Sequence, residues 1–244
     1  MERWLVIPDL HWDAREDLHP SYLLVKKFAK DFEPDGIVFL GDIFDFAYIS
    51  SFNKELLRTI SGKTFRADYD LGNRELDYWQ KISKRIIILQ GNHDKRVDIV
   101  ADKSPILEGL IEPEINLHYK ERGIEYYRDV EQPIRIGKLY FAHGFYTNIN
   151  HPKKHLQALA GNIVYGHVHK IASYTMNLLA QGEEIGAWSI GCLTSKAPAW
   201  AKGRPMNWQN GFAIVYINDD GTFNLYVVYV INNQFIWDGR LFRL

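Results

Sequence analysis

Five times along this chain, a short unbroken apolar run stops abruptly at a cluster of glycine, aspartate, asparagine or histidine. Trp4 to Pro8 leads into Asp9-Leu10-His11, and Ile37-Val38-Phe39-Leu40 leads into Gly41-Asp42-Ile43-Phe44-Asp45. Ile86-Ile87-Ile88-Leu89 precedes Gly91-Asn92-His93-Asp94, Leu139 to Ala142 precedes His143-Gly144, and Ile163 to Tyr165 precedes Gly166-His167-Val168-His169. Runs without polar alternation fit strands buried on both faces, which are parallel strands covered by helices. Each cluster then sits in a loop just past a strand's C-terminal end, the edge at which open α/β sheets bind ligands.

The rest of the chain is read around that frame. Ser21 to Phe32 is predicted as a helix with Leu24, Phe28 and Phe32 on one face, and Asp35-Gly36 as a turn. In the second half Ile124 to Tyr127, Ala172 to Met176, Phe212 to Ile217 and Phe223 to Val230 read as further strands. Asp219-Asp220-Gly221 joins the last two, and one helix follows Pro152. An α/β half feeding a β-rich half predicts two packed sheets flanked by helices. Residues 1–244 are expected to form a single domain with a helical insert at about 46–84. Leu71, Leu76, Trp79 and Ile82 are its docking face. The insert reads either as a surface connection or as a lid beside the site.

Composition narrows the function classes. A formal net charge of -1 argues against a strong sequence-independent pull on nucleic acid and leaves room for a local basic patch. No apolar stretch approaches the length of a membrane span. The start turns acidic too early for a signal peptide. The one cysteine, Cys192, excludes an intramolecular disulfide framework and fits a reducing, cytoplasmic setting.

The clusters supply a metal-binding inventory. Asp9, His11, Asp42, His143, His167 and His169 offer carboxylate and imidazole ligands, and Asn92 offers a carbonyl oxygen. A carboxylate has two oxygens, so one aspartate can bridge two cations roughly 3.5–4 Å apart. No thiolate takes part, which argues against a structural zinc knot. Singly, each piece has an ordinary explanation: Asp9, Asp42 or Asp45 as a cap, Gly91-Asn92 as a turn, His143 as a turn histidine. Five clusters, each following a strand, point to a shared task. His19, His118 and His151 lie outside them and are given no role.

These clusters resemble the signature of the calcineurin-like metallophosphoesterase superfamily: D-x-H, GD-x-x-D, GNH-D/E, a histidine, then GH-x-H. Every element matches, over about two-thirds of the chain. The resemblance implies a four-layer αββα sandwich and an enzyme, a metal-dependent phosphoesterase. It implies two divalent metal ions, manganese first, with iron, zinc, nickel or cobalt compatible. Asp9, His11, Asp42 and His169 hold one, and Asp42, Asn92, His143 and His167 hold the other. His93 serves as general acid or oxyanion donor, oriented by Asp45. The expected substrate is a phosphodiester, a nucleotide or single-stranded nucleic acid. The alternatives are a phosphomonoester, a lipid-linked or sugar pyrophosphate, or a non-catalytic scaffold that binds proteins. Two features bear on nucleic acid: Trp200-Ala201-Lys202-Gly203-Arg204-Pro205 with nearby Trp208, and a basic cluster of Lys153, Lys154 and His155. A weaker pattern, Phe52, Leu56, Leu57 and Ile60 near Lys54, Arg58 and Lys63, would suit a lipid surface.

Overall fold

The computed structural model describes residues 1–53, 60–178, 182–194 and 206–244. Strands β1 (Glu2–Ile7), β2 (Gly36–Phe39), β3 (Arg85–Leu89) and β4 (Glu125–Tyr127) run parallel. A second sheet is built from β5 (Ile134–Ile136), β6 (Leu139–Ala142), β7 (Asn162–Tyr165), β8 (Ile171–Leu178) and β9 (Glu183–Ile190), in the order β5-β6-β7-β9-β8. Strands β10 (Gly211–Ile217) and β11 (Phe223–Tyr229) return antiparallel to the first sheet, giving β11-β10-β1-β2-β3-β4. Both sheets are mixed.

The parity of β1 shows why its run is unbroken. Leu5 and Ile7 face one way, into a core with Val25 and Phe28 of α1 (Pro20–Phe32) and Leu76 and Trp79 of α2 (Phe65–Ile82). Trp4 and Val6 face the other way and meet Leu139, Phe141 and Val164 of the second sheet. That sheet's outer face, with Ile163, Tyr165 and Ala187, is covered by Leu156 of α5 (His151–Leu159). Helices, sheet, sheet and helix form the four expected layers. Full burial of each such apolar side chain contributes about 1.5–3 kcal/mol.

Helix α1 starts on Pro20, with the His19 ring nitrogen accepting from the Ser21 amide, and ends on a left-handed Glu33. Helix α2 starts on Thr64, whose hydroxyl accepts from the Ala67 amide. The two helices are fastened through buried Glu75, which accepts from Tyr22 Oη at 2.5 Å and Lys26 Nζ at 2.6 Å. Trp79 Nε1 donates to Tyr22 Oη at 2.9 Å. Much of the stretch read as a surface connection is therefore a layer of the fold, because Leu71, Leu76 and Trp79 bury against the sheet.

The sequence reading missed several elements: β5, β9, the terminal hairpin β12 (Gln234–Trp237) and β13 (Arg240–Arg243), and the helices α3 (Lys95–Lys103) and α4 (Pro113–Asn116). Strand β9 opens on Glu183-Glu184 and holds Gly186, so pairing with β7 and β8 makes it a strand and its local pattern does not. The hairpin exists by packing Phe235 and Phe242 on Phe28, at ring separations of 5.4 and 5.1 Å. Among the described residues no helix is long and apolar enough to cross a membrane.

Asp68 of α2 is buried and accepts the Ala14 amide at 2.9 Å. Burial raises its pKa to about 6, against the Ala14 hydrogen bond and with a smaller push from Asp13. The folded chain therefore binds a proton there between the unfolded value near 3.8 and about 6. Stability at this site falls as pH rises through that window, and the full cost persists above it. Asp68→Asn keeps an acceptor and removes the charge. Its melting temperature should exceed wild type by roughly 2–5 °C at pH 8, and the gap should close at pH 4. An equal gap at both pH values in calorimetry refutes the assignment.

Candidate metal centre

Parallel strands deliver every predicted side chain to one rim. Asp9 and His11 follow β1, Asp42 and Asp45 follow β2, and Asn92 and His93 follow β3. His143 follows β6, and His167 and His169 follow β7. Two sets of ligand atoms gather, each within 4.8 Å: Asp9, His11, Asp42 and His169, and Asp42, His143 and His167. Asp42 belongs to both. Asn92 Oδ1 lies 3.0 Å from His143 Nε2, which places Asn92 with the second set. A third grouping, His11, Asp45 and His93, borders the first.

The loops are bent hard to achieve this. His11, Asp42, His167 and His169 all hold left-handed backbone, with φ of +48°, +49°, +66° and +57°. Such conformations cost about 1–3 kcal/mol each outside glycine and persist where surroundings enforce them. Here the amides of Leu10 and His11 both donate to the Asp42 carbonyl, at 3.0 and 2.9 Å. Two glycines make room. A Cβ on Gly91 would stand 2.1 Å from Asp42 Oδ1, and one on Gly166 would stand 2.2 Å from Asp9 Oδ2.

Hydrogen bonds fix the carboxylates and the ring tautomers. Asp9 accepts the His167 amide on both oxygens, at 3.0 and 2.9 Å, and Asp42 accepts the His93 amide at 2.8 Å. His143 Nδ1 donates to the Leu40 carbonyl at 2.9 Å, so the Nε2 lone pair faces the centre. His11 Nδ1 faces Asp45 at 3.6 Å, which likewise turns its Nε2 inward.

These inward atoms form an excess of lone pairs. His11 Nε2 and His169 Nε2 stand 3.1 Å apart, with Asp42 and Asp9 oxygens 3.5 and 3.2 Å away respectively. His143 Nε2 and Asn92 Oδ1 stand 3.0 Å apart, a contact that requires either a proton on His143 or a cation between them. Among the described residues, buried His169 Nδ1 has no hydrogen-bond partner. Such a donor set fits divalent cations, since only positive charge relieves it. Protons can meet part of the same demand. Burial disfavours a charged His143, yet Asp42 outweighs it and lifts its pKa to about 9. Burial and His143 push His167 down to about 4. Burial likewise opposes ionised Asp42 and Asp9, but His143 and His93 hold Asp42, and His169 holds Asp9, below the usual carboxylate range.

His93 and Asp45 form a separate unit at the edge. His93 Nδ1 lies 3.0 Å from Asp45 Oδ1, and Arg96 Nη2 lies 2.9 Å from His93 Nε2. Arg96 Nη1 also donates to the Asp45 carbonyl at 2.6 Å. A guanidinium only donates, so in this contact His93 Nε2 accepts and the ring proton faces Asp45. Burial disfavours a charged His93, but Asp42 and Asp45 together shift it upward, with Arg96 opposing them.

Sequence reasoning missed Arg96 because helix α3, which carries it, was not foreseen. It also left Asp94 without a task. Asp94 accepts the Gly91 amide at 2.9 Å and the Phe44 amide at 3.3 Å, tying the β2 and β3 loops together. Burial and the neighbouring Asp42 raise its pKa to about 6.

The centre opens into a cleft of about 390 Å³, lined also by Ala47, Lys63, Thr147, Val168, Met206 and Trp208. Trp208 meets His169 edge to face at 4.1 Å. Lys63 pairs closely with Asp13 and lies 3.7 Å from Glu16. Of the basic cluster expected at Lys153, Lys154 and His155, the two lysines are exposed, whereas His155 turns inward and burial lowers its pKa to about 4. Trp200 to Pro205 lie outside the described residues, as do Lys54, Leu56, Leu57 and Arg58.

A family model described as calcineurin-like phosphoesterase matches residues 3–174. The Gene 54 protein of Mycobacterium phage L5 is 22% identical over 264 residues, covering 100% of this chain and 99% of its own. Among solved structures, Vps29 of Entamoeba histolytica aligns at a TM-score of 0.48 and 13% identity, over 98% of this chain and 95% of that one. Vacuolar Protein Sorting 29 of Cryptosporidium parvum aligns at 0.49 and 14%, over 98% and 94%.

Proposed function

Because this chain belongs to the calcineurin-like phosphoesterase family, we propose that it hydrolyses phosphodiesters of nucleotides at a centre of two divalent cations. The observation that carries this reading is the position of Asp42, shared by both ligand sets. Asp9, His11, Asp42 and His169 would hold one cation; Asp42, Asn92, His143 and His167 would hold the other. Oxygen and imidazole donors without thiolate suit manganese, with iron, zinc, nickel or cobalt compatible. When bound, such ions supply Lewis acidity to the phosphoryl oxygens and lower the pKa of water.

The chain's own groups do the rest. His93 lies at the cleft wall, within reach of a leaving oxygen, and Asp45 fixes its ring through Nδ1. A substrate oxygen that draws Arg96 away frees His93 Nε2 to hold a proton for that leaving group.

Charge and shape favour a diester. Among the described residues lining the cleft, Lys63 is the one lysine or arginine, and Asp13 and Glu16 already offset it. Beyond the two cations and Arg96, which touches His93, no lysine or arginine of the described lining is left without an acid partner to meet the second negative charge of a monoester. Trp208, Met206 and Val168 give the wall beside His169 an apolar character suited to a nucleobase.

The test uses the manganese-loaded protein with p-nitrophenyl thymidine 5′-phosphate, p-nitrophenyl phosphate and ethyl p-nitrophenyl phosphate. The nucleotide diester should turn over faster than the monoester. Trp208→Ala should lower kcat/KM for the nucleotide diester roughly ten- to hundredfold and leave the ethyl ester nearly unchanged. Preference for the monoester overturns the diester reading. Full metal content without turnover of any ester would instead favour a non-catalytic scaffold.

A further inference from the structure

His155 of α5 belongs to none of the five clusters, yet it touches two of the loops that carry them. The side chain is 1% exposed. Its Nε2 accepts the amides of Phe145 at 2.8 Å and Tyr146 at 3.4 Å, the residues that follow His143-Gly144. Its Nδ1 donates to the His151 carbonyl at 2.7 Å. A ring donating through one nitrogen and accepting amides through the other is neutral and fixed in one tautomer. Burial, which holds its pKa near 4, agrees.

The face of the same ring stacks on Tyr165, with centroids 3.9 Å apart and planes 22° from parallel. Tyr165 is the last residue of β7, directly before Gly166-His167, and its hydroxyl pairs with His151 Nδ1 at 2.6 Å. One imidazole thus ties the loop after His143 to the strand end before His167. These two histidines belong to the second ligand set. Asp9, His11 and His169 make no contact with His155 among the described interactions. A phenylalanine would satisfy the packing but take away the acceptor of two part-buried amides.

We propose that His155 is a positioning residue for the second cation: it fixes the separation of His143 and His167 directly, and reaches the first ligand set only through the His167 amide on Asp9. The inference rests on the two-cation reading. Ligand geometry held by outer hydrogen bonds is typically worth 10- to 100-fold in metal affinity.

The test is calorimetric titration of the metal-free protein with manganese chloride, with bound metal counted by elemental analysis. Wild type should bind two ions. His155→Phe keeps the stack and removes the acceptor; it should bind the first ion as wild type does and the second roughly 10- to 100-fold more weakly. His155→Gln, which restores an acceptor oxygen, should recover much of that loss. If His155→Phe does not fold, as judged by circular dichroism, His155→Asn is used; its shorter side chain also withdraws the acceptor. Equal weakening of both ions, or of neither, in a folded variant overturns the inference. A wild-type chain that binds fewer than two ions overturns the two-cation reading itself, and this inference with it.

Discussion

Asp42→Asn should fold, retain at most one tightly bound divalent ion per chain, and lose roughly 10³-fold or more in kcat/KM. Folding should survive because asparagine keeps an oxygen for the His93 amide and tolerates the left-handed backbone at this position. The loss follows from charge. Across the two ligand sets only Asp9 and Asp42 carry carboxylates, the other groups being imidazoles, which bind a cation in the neutral form, and the Asn92 amide. Two divalent cations bring four positive charges, so removing one of two carboxylates leaves the pair far less compensated at close range. Asp42 is also the group both sets share, and an amide offers one oxygen where the carboxylate offers two. Several kcal/mol of transition-state stabilisation depend on such ions, which corresponds to three or more decades in rate. Elemental analysis and steady-state kinetics on the same preparation decide the matter. Two ions and wild-type turnover in Asp42→Asn would remove the basis of the proposed chemistry.

His93→Ala should give the opposite division: both ions retained and kcat lowered roughly 10²- to 10⁴-fold. Its ring nitrogens are taken by Asp45 and Arg96, and Asp42 Oδ2 is 3.9 Å from its Nε2, so it contributes no lone pair to either set in the resting chain. The loss should depend on the leaving group. A p-nitrophenolate departs without a proton and should suffer least, whereas an alkoxide or nucleoside oxygen should suffer most. Loss of an ion in this variant would show that His93 is a ligand. A loss independent of leaving-group pKa would show that it acts on the attacking side.

Much of the first sheet was legible because buried parallel strands leave a plain trace. Trp4 to Ile7 is apolar at every position since each face of β1 meets a different core. Strand β9 left no such trace, because its glutamates and Gly186 become strand only by pairing. His155 was misread for a related reason: beside Lys153 and Lys154 it looks cationic, and only the helix direction turns it inward.

By itself the sequence determined which side chains end the strands, and hence the inventory of carboxylate, imidazole and amide donors, because a strand buried on both faces must stop where polar residues begin. The tertiary structure alone decided how that inventory divides. His11 and His169 meet across 158 residues of chain, and Asp42 falls between two sets through the packing of one sheet on the other. Left-handed turns at four of these residues, the Arg96 contact on His93 and the His155 tie are likewise invisible locally. The physical reason is that coordination depends on distances of a few ångströms between loops, and those distances are set by core packing and long-range hydrogen bonds rather than by spacing along the chain.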